Sequence, residues 1–116
     1  MTMRRGAASS RIAEAAPVFA ALGDATRLQI VLRLCDGGPM SIIRLTEGAQ
    51  VTRQAVSKHL RALESAGLVR SGRVGRERIW ELETKRLADV RACLDRISDQ
   101  WDQAIQRLRA LVEAAP

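Results

Sequence analysis

Apolar positions recur at helical spacing along most of the chain, and glycine or proline punctuates them. Over residues 11–22, Ile12, Ala15, Ala16, Phe19 and Leu22 fall near a helical period. Pro17 lies among them, so this helix either kinks at the proline or starts there. Gly23 closes it. A second helix is predicted over 25–36, with Asp24 as its N-cap. Leu28, Val31, Leu32 and Cys35 stand at i, i+3, i+4 and i+7, which makes one apolar stripe. Gly37-Gly38-Pro39 ends it. Residues 40–48 read as a short third helix with Ile42, Ile43 and Leu45 apolar, closed by a left-handed Gly48. A tight turn through Val51 follows. Thr52 then caps a fourth helix, 53–66, which buries Val56, Leu60 and Leu63 and stops at Gly67.

Beyond Gly67 the period changes. Leu68-Val69, a basic glycine-spaced run from Arg70 to Arg78, and Ile79-Trp80-Glu81-Leu82 read as two short strands joined by a loop. Trp80 is expected to pack on the helices. Thr84 caps a long final helix, roughly 85–113. Its apolar positions, Leu87, Val90, Leu94, Ile97, Trp101, Ala104/Ile105, Leu108 and Leu111, alternate spacings of three and four. That is a narrow stripe of coiled-coil type. The pattern predicts a mainly α fold with a small two-stranded β-wing: a winged helix-turn-helix with a long C-terminal dimerisation helix. Residues 1–9 are expected to be a disordered tail, 10–83 the winged domain and 84–116 the dimerisation helix.

Charge sharpens this reading. The 116 residues carry 19 basic and 13 acidic side chains, a net +6. Residues 52–78 hold seven basic side chains against two acidic ones, so five of those six charges sit on the fourth helix and the hairpin. A solvated amphipathic helix accounts for a polar face but not for this local shortage of acids. Polyanions are the implied partner.

Helix geometry then selects the candidate contacts. With Val56, Leu60 and Leu63 inward, ~100° per residue turns Gln54, Lys58, Arg61 and Ser65 outward. Arg53 and Ser57 lie on one flank and His59 on the other. A basic second helix after a tight turn is the core of a helix-turn-helix, whose N-terminal part enters the major groove. Glutamine reads adenine, and lysine or arginine suits guanine or phosphate. Gln54, Ser57 and Lys58 are therefore candidates for base edges and Arg53 and Arg61 for phosphate, and His59 on the other flank is a further DNA-contact candidate. Arg73 and Arg76, nearest the hairpin tip, are candidates for backbone contact.

Other classes fare worse. With one histidine, no tyrosine and no glycine-rich phosphate loop, nothing is placed for catalysis. Asp95, Asp99 and Asp102 fall among Arg91, Arg96 and Arg107, so they are expected to form a salt-bridged helix surface rather than a catalytic group. No apolar run approaches the ~20 residues that span a bilayer, the N-terminus lacks the apolar core of a signal peptide, and a cytosolic protein is expected. Cys35 and Cys93 have neither disulfide nor metal-ligand spacing and read as small buried hydrophobes. A winged helix that binds protein rather than DNA is the serious rival. It would tolerate loss of Arg73 and Arg76.

Three strings carry a family resemblance. LGDATRLQIVLRL (22–34) resembles the Leu-Gly-Asp-Pro-Thr-Arg-Leu run of ArsR-family repressors, with Ala25 in place of the proline. VTRQAVSKHLRALESAGLV (51–69) resembles their recognition helix, and GRVGRERIWEL (72–82) their wing. The resemblance implies a symmetric dimer built from the first and last helices, a palindromic operator, and repression relieved by a signal. Phe19, Leu22, Leu94, Ile97, Trp101, Ile105 and Leu108 are the candidate interface, with Trp101 as central anchor unless it packs within its own subunit. The cysteine-containing metal motif of the third helix is absent, since Met40-Ser41-Ile42-Ile43 stands there. The final helix lacks the acidic and histidine ligands of the zinc sensors. The resemblance is thus to metal-independent members, with no cofactor expected and the effector open.

Overall fold

The computed structural model describes residues 2–114, with side chains from Ile12 onward. In chain order its elements are α1 (Thr2–Leu22), α2 (Ala25–Gly37), β1 (Met40–Ser41), α3 (Ile42–Thr46), α4 (Arg53–Ser65), β2 (Val69–Val74), β3 (Glu77–Leu82) and α5 (Leu87–Ala114). α1 begins at Thr2, upstream of residue 11, where its helix is expected to start, and runs across most of the stretch expected to be a disordered tail. The disordered tail expected over 1–9 falls on residues whose side chains lie outside the described set. Pro17 sits inside α1, which runs on through it. The ring removes one amide donor, leaving the carbonyl four residues back without its helical partner.

Polar bonds at helix ends build the corner between α1 and α2. Asp24 caps α2 by accepting the Arg27 amide at 3.0 Å. The Arg27 guanidinium folds back and donates to the last carbonyls of α1, at 2.6 Å to Ala21 and 3.5 Å to Ala20. Each helix end thereby meets the charge its dipole favours.

That corner sets the phase of α2, which differs from the stripe expected. Ile30, Val31 and Leu34 face the core, while Leu28, Leu32 and Cys35 lie outside. α2 is apolar around most of its circumference, so period alone fits two stripes. Arg27 shares a face with Val31 and Leu34, and its bonds to α1 turn that face inward. Cys35 is accordingly exposed and Cys93 half-buried, not the pair of buried hydrophobes expected.

The sheet has three strands in the order β1-β3-β2, all antiparallel. The expected third helix is shorter than 40–48, because Met40 and Ser41 instead pair with Trp80 and Ile79. Met40 and Trp80 stand opposite each other and both are buried. Across the hairpin, Val69 pairs with Leu82 and Val74 with Glu77. Gly75 has φ +65°, as the first turn residue of a type II′ hairpin requires.

One apolar cluster joins these elements. Val18 of α1, Leu34 of α2, Leu45 of α3, Val56, Leu60 and Leu63 of α4, Leu68, Trp80 of β3 and Val90 of α5 are all buried in it. Trp80 is core, as its strand position predicts. Phe19 and Leu22 pack half-buried against the same cluster. α5 contributes Val90 to the buried set and packs Leu87 half-buried against it, while its stripe from Leu94 onward is exposed.

Candidate nucleic-acid interface

α4 takes its orientation from both ends and from one face. Thr52 caps it by accepting the Ala55 amide at 3.1 Å. Gly67, at φ +79°, turns the chain out of it. Arg33 of α2 pins the turn that leads into it, donating to the carbonyls of Leu45 at 3.0 Å and Glu47 at 3.1 Å. Val56, Leu60 and Leu63 are at most 1% exposed. With that face fixed, Arg53, Gln54, Lys58, Arg61 and Ser65 are exposed, and Ser57 is half-buried on a flank. The outward face is the one that helix geometry predicts.

His59 is placed differently from the rest. It is half-buried and turned to the α1–α2 corner, with Nδ1 4.0 Å from Asp24 Oδ1. Asp24 is held below the ordinary carboxylate range, first by the Arg27 amide and then, against some desolvation, by the charges of Arg27 and His59.

The hairpin carries the second basic group. Arg73 and Arg78 are cross-strand partners and Arg76 lies at the tip; all are exposed. Arg78 was missed as a candidate, and only the strand register puts it beside Arg73. Arg70 serves structure: its Nε donates to Glu81 at 2.8 Å and its Nη1 to Glu83 at 3.2 Å. Among the described residues, the other ion pairs are Arg86–Glu14 and Arg109–Glu113. None involves Arg53, Lys58, Arg61, Arg73, Arg76 or Arg78. These six cations therefore face solvent uncompensated, on one helix and one hairpin joined by a three-residue link.

The candidate interface residues divide in two. Phe19 and Leu22 are partly used by the chain's own core. Leu94, Ile97, Trp101, Ile105 and Leu108 are exposed, Trp101 by 66%. The alternative in which Trp101 packs within its own subunit is overturned, since α5 has already left the core at that point. Among the described residues no group of three or more His, Cys, Asp or Glu side chains is placed to hold a metal ion. No single described helix is long and apolar enough to cross a membrane.

Comparison with known proteins agrees with this geometry. Residues 24–71 match the family described as bacterial regulatory protein, arsR family. The HTH-type transcriptional regulator Rv2034 of Mycobacterium tuberculosis is 37% identical over 81% of this chain and 84% of its own length. The chain belongs to the ArsR family. The arsenical resistance operon repressor of Bacillus subtilis is a further relative, 31% identical over 72% of this chain and 84% of its own. Among solved structures, an ArsR-like transcriptional regulator from Rhodococcus superposes with a TM-score of 0.69 at 38% identity, covering 89% of this chain and 96% of that one. A homodimeric winged helix-turn-helix DNA-binding domain from Mycobacterium bovis superposes with a TM-score of 0.60 at 25% identity, covering 84% and 86%. This ArsR-family chain is a DNA-binding transcriptional regulator. Its α3 and α4 form the helix-turn-helix, and β2 and β3 form the wing.

Proposed function

We propose that this ArsR-family chain acts as a homodimeric repressor of a palindromic operator, each subunit placing α4 in a major groove and its wing on the adjacent backbone. Gln54, Ser57 and Lys58 read base edges. Arg53, Arg61, Arg73 and Arg76, joined by Arg78, hold phosphates. Leu94, Ile97, Trp101, Ile105 and Leu108 of α5 form the dimer contact, with Phe19 and Leu22 of α1 at its margin. In this reading residues 10–83 are the DNA-binding unit, 84–116 the dimerisation helix, and the protein works in the cytoplasm without a metal.

The observation that carries the proposal is the exposed apolar stripe of α5. It continues to Leu111, roughly six helical turns past the last buried residue, Val90, and a lone domain gains nothing by presenting it to water. Packing it on its own copy buries it and relates two α4 helices by a two-fold axis. Such a pair meets half-sites roughly 34–36 Å apart. The M. bovis neighbour, described as homodimeric, and the B. subtilis relative, described as a repressor, support the two halves of the reading.

Sedimentation of the purified chain, with a mobility shift against the DNA upstream of its own coding region, tests the proposal. A dimer that shifts this DNA, and loses the shift when one half-site is scrambled, is the expected result. A monomer that binds single half-sites as tightly as paired ones would overturn it.

A further inference from the structure

We infer that His59 is a positioning residue for DNA reading: set against Asp24 at the α1–α2 corner, its imidazole holds the roll of α4 about its own axis. This rests on the reading face proposed above. His59 is the only histidine in the chain, and it lies on the flank of α4 away from Arg53 and Ser57. Its Nδ1 is 4.0 Å from Asp24 Oδ1. The gap is about 1 Å longer than a hydrogen bond and within the range where opposite charges attract. Asp24 is itself immobilised, because the same oxygen accepts the Arg27 amide and Arg27 grips the Ala20 and Ala21 carbonyls. The imidazole thus faces an anchored acceptor that belongs to two other helices.

The roll of α4 needs such an anchor. Val56, Leu60 and Leu63 decide which face of the helix is buried, but apolar burial is non-directional and sets that face only to within a small roll. A roll of ~10° moves a side-chain end ~6 Å from the helix axis by ~1 Å. That displacement is enough to spoil a bidentate contact from Gln54 to a base, while phosphate contacts through long arginines adjust. Loss of the anchor therefore lowers sequence preference rather than general affinity.

The test compares a duplex that the wild-type protein selects from a random pool with a scrambled duplex of the same composition. The variants are His59→Ala, Asp24→Ser and the double substitution; serine retains the N-cap but withdraws the carboxylate from reach. Each single variant is expected to lower the ratio of selected to scrambled affinity by about two- to fivefold per subunit, with scrambled affinity unchanged. The double variant is expected to be no worse than the weaker single one. His59→Asn, which keeps a donor near Nδ1, should restore part of the ratio. In the DNA-free protein, Asp24→Ser should displace the single set of imidazole NMR signals. Additive losses, or a His59→Ala variant that weakens both duplexes alike while Asp24→Ser is silent, would overturn the inference and make His59 a direct phosphate contact. A wild-type protein indifferent to both duplexes overturns the reading above instead. The ring signals tell the two failures apart, since they stay fixed in Asp24→Ser only when the corner does not hold His59.

Discussion

Asp24 shows how one side chain can be legible in one role and hidden in another. Its position ahead of an apolar run marks it as an N-cap, and the bond to the Arg27 amide is there. Its second role, facing His59 from 35 residues away, has no local signal. From its place on the flank of the fourth helix, His59 accordingly reads as a DNA-contact candidate. Because the folded state lowers the Asp24 carboxyl below its ordinary value, its contribution to stability is complete above about pH 4 and fades as pH falls through the lowered value. Thermal melts at pH 7 and pH 3 should show a larger acid loss for the wild type than for Asp24→Asn, which keeps a cap but does not titrate. Gln54 and Arg73 make a second residue-scale contrast, since both were read from charge and phase and both are exposed. Gln54→Ala should cost roughly 1–3 kcal/mol at one base pair and leave other positions alone. Arg73→Ala should weaken every sequence equally. Binding of a duplex set with each base varied in turn measures both.

Elements were legible where one face alone could be buried. α4 has a single apolar stripe between a cap and a glycine, so its bounds, inward face and outward face follow from spacing. α2 has an apolar arc wide enough to hold two stripes, and the tertiary bonds of Arg27 choose between them. β1 has two residues, too few to show a period, and exists because β3 offers Met40 and Ser41 a ladder. Arg78 depends on the same kind of information, since register is a property of two strands. Gly67, between α4 and β2, combines a positive φ with a close neighbour. It has φ +79°, and a Cβ there would lie 2.8 Å from Cγ of Arg86. Gly67→Ala combines a left-handed backbone, which costs roughly 1–2 kcal/mol for any other residue, with that crowding. Chemical denaturation should show a loss at or above this range. Gly72→Ala, where a Cβ meets nothing within 4 Å, should be far milder.

At the scale of the whole molecule, the single chain is not a finished object. Its radius of gyration is 19.2 Å, against roughly 13 Å for a compact domain of this length. The excess comes with extents of 69 × 40 × 20 Å and with α5, whose apolar stripe from Leu94 to Leu111 lies outside the core. The sequence pattern announced that stripe, because spacings of three and four persist well beyond what one small core can absorb. Which surface covers it is not a property of a single chain's periodicity. If the cover is a second copy, Trp101 sits near the middle of the contact, and a charge there must be desolvated on both sides of the two-fold axis. Trp101→Asp is expected to leave the winged domain folded, since Trp101 is 66% exposed and outside the core cluster. It should nonetheless shift sedimentation from dimer to monomer. DNA binding should then change in a way that a lost contact does not produce. Each wing and α4 remain intact, so a monomer keeps its own phosphate contacts while half of the dimer's total is gone. The slope of log affinity against log salt, about −0.9 per phosphate neutralised on duplex DNA, should fall to roughly half the wild-type value. A variant that stays dimeric with an unchanged slope would show that α5 meets its partner along some other face.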